Sequence, residues 1–287
     1  MSDAELKRSR RACRALTRRT ARNFYYSFRV LPREKHRDMC SLYAFMRRTD
    51  DIADADRPAA ERRAGLDVWW ERTTAALDGR ETDDPLLPAV TEMVGRVGID
   101  PDHLAAVVAG CRQDTEPVAI RTRRELDEYC YRVAGAVGLC CVRVWGFDES
   151  RAAEVERLSI QTGFAFQLTN ILRDLKEDAA NGRVYLPRED LRGVTVEELA
   201  GQTGPPEGSV RAVVIDHAAA ASDAYRESEA LLPLLSRDGR RVLAAMRSIY
   251  GGLLAEIERR DYDVFSRRIR LRAWRKLLAA LRASRLP

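Results

Sequence analysis

Asn170, Asp174 and Asp178 recur at intervals of four within the segment QLTNILRDLKEDAANGRVYLP, residues 167–187. On an α-helix, which turns by about 100° per residue, they fall in one line along one face, with Gln167 one turn before Asn170 on the same side. Phe164, Leu168, Ile171, Leu172 and Leu175 supply the apolar remainder, so the polar line runs along a helix that otherwise reads as buried. Like charges at i and i+4 disfavour a helix by about 0.2–0.5 kcal/mol, and burying them costs far more. Something positive is therefore expected over Asp174 and Asp178. An amide and two carboxylates form an all-oxygen ligand set. That set suits Mg²⁺, which uses one or two carboxylates and completes its octahedron with water and substrate phosphate; Mn²⁺ is the alternative ion.

A single acidic pair on a helix is more often a solvated face. What changes the reading is a second stretch of the same kind, SLYAFMRRTDDIAD at 41–54. Leu42, Phe45, Met46 and Ile52 have helical apolar spacing. Asp50 and Asp54 are again i and i+4, Asp51 lies beside them, and Arg47 is three residues before Asp50 on the same face. Two such helices, far apart in sequence, predict facing walls of one cavity. Carboxylates on both walls would hold several Mg²⁺ ions, which in turn would bind diphosphate.

These stretches resemble the squalene/phytoene synthase family, which condenses two prenyl diphosphates head to head. The resemblance rests on LYAFMRRTDDIAD at 42–54, EYCYRVAGAVG at 128–138, FQLTNILRDLKEDAANGRVYLP at 166–187 and, more weakly, IYGGLLAEIERRDYDVFSRR at 249–268. It implies a class I isoprenoid synthase fold and names Asp50, Asp54, Asn170, Asp174 and Asp178 as the metal-holding set. It also implies a catalytic role for Tyr129, whose ring face could stabilise a carbocation and whose hydroxyl could orient diphosphate. Substrate contacts are implied for Arg22, Tyr43, Arg47, Arg132, Gln167, Arg173, Arg183, Tyr185, Tyr250 and Arg267, with Asn23 beside Arg22. The chain departs from some relatives at Thr20, where they have histidine, and at Arg29, where they have an acid. By resemblance, ionisation of one allylic diphosphate is followed by attack of the second substrate's double bond, giving a cyclopropylcarbinyl diphosphate. Family members then diverge: to phytoene, to squalene with hydride from NADPH, or no further. TDDIADAD and VRVWGFDE look closer to the bacterial squalene branch, so two farnesyl diphosphates giving presqualene diphosphate or squalene is the preferred reading. DYDVFSRR looks equally like phytoene synthases using geranylgeranyl diphosphate, and NADPH use is left open. A head-to-tail prenyltransferase or terpene cyclase is disfavoured by the NxxxDxxxD form and the YCYRVAG segment. A non-catalytic scaffold member would be expected to lose the carboxylates, which are intact.

The remaining sequence is consistent with this. The 287 residues are 45% hydrophobic and 32% charged, ordinary for one large globular domain. Helical periodicity recurs almost throughout and strand signals are poor, so the expectation is a single all-α bundle over 1–287 around a central cavity. Helices are expected at 33–54, 59–79, 86–97, 101–113, 122–146, 150–179, 209–236, 238–262 and 271–284. An extended loop is expected at 182–187 and a surface excursion at 194–209. Gly135 and Gly138, with Ala134 and Ala136, make 122–146 a helix suited to a bend, close packing or a prenyl tail. Six cysteines without a CxxC pair read as reduced buried thiols of a cytoplasmic protein. Three scattered histidines disfavour zinc and His-based triads. The charge of +5 comes without a nucleic-acid motif. No apolar run reaches the roughly 18 residues of a membrane span. Residues 3–21 are basic and amphipathic; the basic segment from Arg259 onward, with the amphipathic 271–284, suggests peripheral contact with the inner face of the membrane or with substrate phosphate. Expected partners are the prenyl diphosphates and downstream squalene- or carotenoid-pathway enzymes.

Overall fold

A computed structural model describes residues 2–21, 28, 31–191, 193–202, 208–271 and 283. Arg22, Asn23 and Arg29, and nearly all of the helix expected over 271–284, lie outside the described residues.

Helix boundaries follow from caps and breakers. Ser2 opens α1 (Asp3–Thr20) with a capping box: its hydroxyl accepts from the Glu5 amide while the Glu5 carboxylate accepts from the Ser2 amide. Otherwise-orphaned amides of the first turn are thereby satisfied. Pro32 and Pro58 precede α2 (Arg33–Ala53) and α3 (Ala59–Leu77), where proline cannot extend a helix backwards. α4 (Leu87–Val97) stops at Gly98, which takes φ +70°. α5 (Pro101–Gln113) starts at Asp100, whose carboxylate accepts from the Asp102 amide. All four of α2–α5 fall within two residues of expectation.

The stretch 122–146 is helical but in three pieces: α6 (Arg123–Cys130), a π-helical turn (Tyr131–Gly135) and α7 (Ala136–Trp145). The long helix α8 (Ala152–Ala180) crosses it at the small residues. A Cβ on Gly163 would sit 2.6 Å from the Gly135 nitrogen and 2.7 Å from the Ala134 carbonyl carbon, and a Cβ on Gly138 would sit 3.1 Å from the Ser159 carbonyl oxygen. Gly163→Ala is therefore expected to destabilise the protein by about 3 kcal/mol, because backbone rather than a side chain must yield. Urea denaturation checks this; a loss under about 1 kcal/mol would contradict the close crossing.

One feature had no signal in the sequence. β1 (Val118–Ala119) pairs in parallel with β2 (Arg183–Val184), Val118 opposite Arg183. The Arg188 amide then donates to Ile120 O at 3.0 Å. The 182–187 loop is thus pinned along its length to the segment after α5. Two short helices follow, α9 (Arg188–Leu191) and α10 (Val196–Leu199), the latter inside the expected surface excursion. α11 (Gly208–Glu227) passes into a 3₁₀ stretch, Ser228–Leu234, which contains Pro233, and α12 (Arg237–Arg259) completes the bundle.

Buried apolar side chains form two large clusters. One joins the C-terminal half of α8 to α11 and the end of α12; the other joins α2–α5, α7 and the start of α8. Phe166 on α8 packs against both. All six cysteines are buried and unpaired. Among the described residues, no helix is long and apolar enough to cross a membrane.

Candidate active site

A cavity of about 450 Å³ opens between the two clusters, within the usual range for small-molecule sites. Its depth is apolar, with Met39, Leu42, Val137, Val142, Trp145 and Phe166 on the wall, and its polar groups include Asp50, Asp114, Tyr129, Gln167 and Asn170. α2 carries Asp50 and α8 carries Asn170, so the two acidic helices do bound one space.

Of Asp50, Asp54, Asp174 and Asp178 only Asp50 lines the cavity itself, and the four differ in how far they are neutralised. Asp50 is open to the cavity but walled by protein on its other sides. Burial, then the neighbouring Asp54, pushes its pKa up to about 6, although the Cys111 thiol donates to it at 3.5 Å. Asp178 is pushed up to about 7, by burial first and Asp174 second, with Arg183 pulling the other way. Asp54 is two-thirds exposed, its side chain 66% accessible, and lies 3.8 Å from Arg183 Nη2. Asp174 is the contrast. Arg173 grips it with Nε at 3.0 Å and Nη2 on the other oxygen, and Arg268 adds Nη2 at 3.0 Å while its Nη1 reaches Glu177 at 2.9 Å. Asn170 donates weakly to Gln167 Oε1 at 3.5 Å, and its own Oδ1 is buried without a hydrogen-bond partner among the described residues.

Asp114, just past the end of α5, ties the aromatic side of the cavity together. Its two oxygens accept from Tyr129 Oη at 3.0 Å and Tyr185 Oη at 2.9 Å, and the two rings stack with centroids 4.6 Å apart. Burial and the adjoining carboxylate push both phenols well above their usual range. Tyr185 comes from the pinned loop and Tyr129 from α6, so Asp114 fastens the loop to the cavity wall.

The other implied contacts divide. Tyr43 and Tyr250 line the cavity, Tyr250 stacked on Phe166 at 4.6 Å. Arg47 is held by Asp51 at 2.5 Å. Arg132 does not line this cavity; it donates to Gln113 at 3.1 Å and faces an outer groove with Arg63 and Arg112. Arg267 is exposed, its carbonyl accepting from Arg260 at 3.3 Å, and the next residue, Arg268, is the one on the acidic helix. Asp114, Arg268 and Cys111 escaped the sequence reading. For Arg268 the adjacent RR pair was a signal; Asp114 and Cys111 had none.

Among the described residues no three His, Cys, Asp or Glu side chains already converge as a closed metal site. Two pairs of carboxylates, one member of each (Asp50, Asp178) with a raised pKa, and an unpartnered amide oxygen instead fit Mg²⁺ that takes the rest of its shell from substrate and water.

Residues 17–275 match the family described as squalene/phytoene synthase. The chain belongs to this family. Among its relatives in the family are a phytoene synthase of Mycobacterium tuberculosis, 35% identical over 97% of this chain and 91% of that one, and a 15-cis-phytoene synthase of Synechococcus elongatus, 33% identical over 98% and 95%. Similar solved structures include a dehydrosqualene synthase in complex with ligand, with TM-score 0.86 and 29% identity over 98% of this chain and 96% of that one. A squalene synthase from Alicyclobacillus acidocaldarius has TM-score 0.83 and 28% identity over 92% and 98%. Squalene/phytoene synthases of this fold are all-α, as the sequence suggested.

Proposed function

We propose that this synthase condenses two geranylgeranyl diphosphates head to head, through a cyclopropylcarbinyl diphosphate, to phytoene. The observation that carries the reaction class is the pair of acidic helices bounding one apolar cavity, with Asp50 and Asp178 incompletely neutralised. The choice of the C20 substrate rests on relatives 33–35% identical over nearly the whole chain that are named phytoene synthases. This reverses the preference drawn from TDDIADAD and VRVWGFDE. The farnesyl route to presqualene diphosphate or squalene stands as the second reading, supported by the squalene-type titles of the similar structures.

Asp50 and Asp54 on one wall, and Asn170, Asp174 and Asp178 on the other, would hold Mg²⁺. When bound, the ion supplies positive charge to the departing diphosphate. Arg173, Arg183 and Arg268, already at the acidic groups, are placed to donate charge-assisted hydrogen bonds to the same phosphate oxygens. The stacked rings of Tyr129 and Tyr185 offer π-density to an allylic cation. The apolar depth holds the prenyl tails and excludes water that would quench that cation. A proton is lost as the product forms.

The test is a product assay on the purified protein with Mg²⁺ and each diphosphate separately, with and without NADPH, analysed by mass spectrometry before and after phosphatase. Phytoene from geranylgeranyl diphosphate alone is the expected result. Squalene or presqualene alcohol from farnesyl diphosphate would favour the second reading. No condensation with either would overturn both.

A further inference from the structure

We propose that the outer face of α1 docks on an anionic lipid bilayer. α1 contains Lys7, Arg8, Arg10, Arg11, Arg14, Arg18 and Arg19 against Asp3 and Glu5, a net of +5 that equals the formal charge of the whole chain. Taking these from 49 basic and 44 acidic residues leaves 42 of each elsewhere, so the basic segment after Arg259 is offset by acids between the two ends. The charge on α1 is ordered as well as concentrated. Lys7, Arg11, Arg14 and Arg18 recur at i, i+4, i+7 and i+11, within a strip roughly 60° wide and about 17 Å long, with Arg8 and Arg19 about 60–80° to one side of it. All six are exposed.

The opposite face fixes this orientation. Ser9, Cys13 and Thr17 are buried, with Ser9 Oγ donating to Leu86 O and Thr17 Oγ1 to Cys40 O, both at 3.1 Å. Arg10, off the strip, is neutralised by Glu92 at 2.9 Å, and Lys7 has a loose contact with Asp3 at 3.9 Å. Arg8, Arg11, Arg14, Arg18 and Arg19 make no ion pair or hydrogen bond among the described residues. Like charges stacked along one helix face oppose its formation, so the strip is best matched by an external polyanion.

α1 has no aromatic residue that could stack on bases, which disfavours single-stranded nucleic acid. A bilayer is favoured further because the product proposed above is a hydrocarbon that water does not dissolve; this step alone rests on that reading. The apolar side of α1 is already committed to the bundle, so the helix lies on the headgroups without inserting. Binding should then depend on anionic lipid and be screened by salt.

The experiment is cosedimentation of the full chain, without substrate, with vesicles of phosphatidylcholine alone or with 30% phosphatidylglycerol, at low and high salt. Expected is binding to the anionic vesicles that is lost at about 0.5 M NaCl, and no binding to the neutral ones. Arg11→Gln/Arg14→Gln/Arg18→Gln should weaken binding roughly a hundredfold, at about fivefold per cation. Its circular dichroism and its turnover of detergent-dispersed substrate should not change. No binding to anionic vesicles at low salt, equal binding by the triple variant, or binding to duplex DNA but not to vesicles would each overturn the proposal. Because lipid binding is read without substrate, its failure is separable from a failure of the proposed reaction.

Discussion

Asp178→Asn is expected to abolish condensation, by about a thousandfold or more in kcat/KM, while making the metal-free protein more stable at pH 8. The two effects have one cause. Burial, and Asp174 after it, push the Asp178 carboxyl from 3.8 up to about 7. A carboxyl raised on folding contributes stability that is complete below its unfolded pKa and is lost as pH rises through the folded value. At pH 8 the parent therefore bears a half-buried charge, offset only in part by Arg183, that asparagine removes. Allowing for screening by solvent at this half-buried group, the gain is about 1–2 kcal/mol, or roughly 2–6 °C in Tm. It should shrink as pH falls towards 4. Added Mg²⁺ should reverse the order, since ligand binding to the folded state stabilises the parent by mass action. Thermal melts at pH 5 and 8, with and without Mg²⁺, check this. Turnover within tenfold of the parent would contradict the role given to Asp178.

Asp114→Ala is expected to lower turnover about a hundredfold and to cost about 2 kcal/mol of stability. Two buried phenols, Tyr129 and Tyr185, lose their shared acceptor, at about 1.5–3 kcal/mol for each hydrogen bond to a charged group. Part of this is offset because Asp114 is itself desolvated, its pKa raised by burial. Asp114→Asn keeps one acceptor oxygen and should fall between the parent and the alanine variant. The loop bearing Tyr185 should also become a site of faster amide exchange, read by hydrogen–deuterium exchange over residues 182–187. Parental turnover and unchanged exchange in Asp114→Ala would show that the aspartate does not fasten this loop.

What could be read from the sequence was whatever repeats with a helical period or breaks it chemically. Asp50 with Asp54, and Asn170 with Asp174 and Asp178, stood out because the step of four is a property of one chain segment. Pro32, Pro58, Asp100 and Pro101 stand where helices start in the structure, each a residue type that breaks or caps a helix by a local rule. Asp114 was hidden because its meaning lies in Tyr129 and Tyr185, 15 and 71 residues away. Arg268 was hidden beside Arg267 because residues 261–271 are not helical, so no period says which arginine faces α8. Arg132 lies three residues after Tyr129, but a π turn begins at Tyr131, so an α-helical step does not place the two side chains on one face. The small residues 134–138 announced a close approach without saying that Gly163 makes it.

The proposed reaction requires diphosphate to be held at this cavity through cations carried by both acidic helices. Calorimetric titration with a non-reactive prenyl thiodiphosphate tests it most directly, on the parent and on Asp178→Asn. Strong binding by the parent with Mg²⁺, loss of binding in EDTA, and weak binding by the variant under both conditions are predicted. Equal affinity in EDTA and Mg²⁺, or a variant that binds as tightly as the parent, would contradict it.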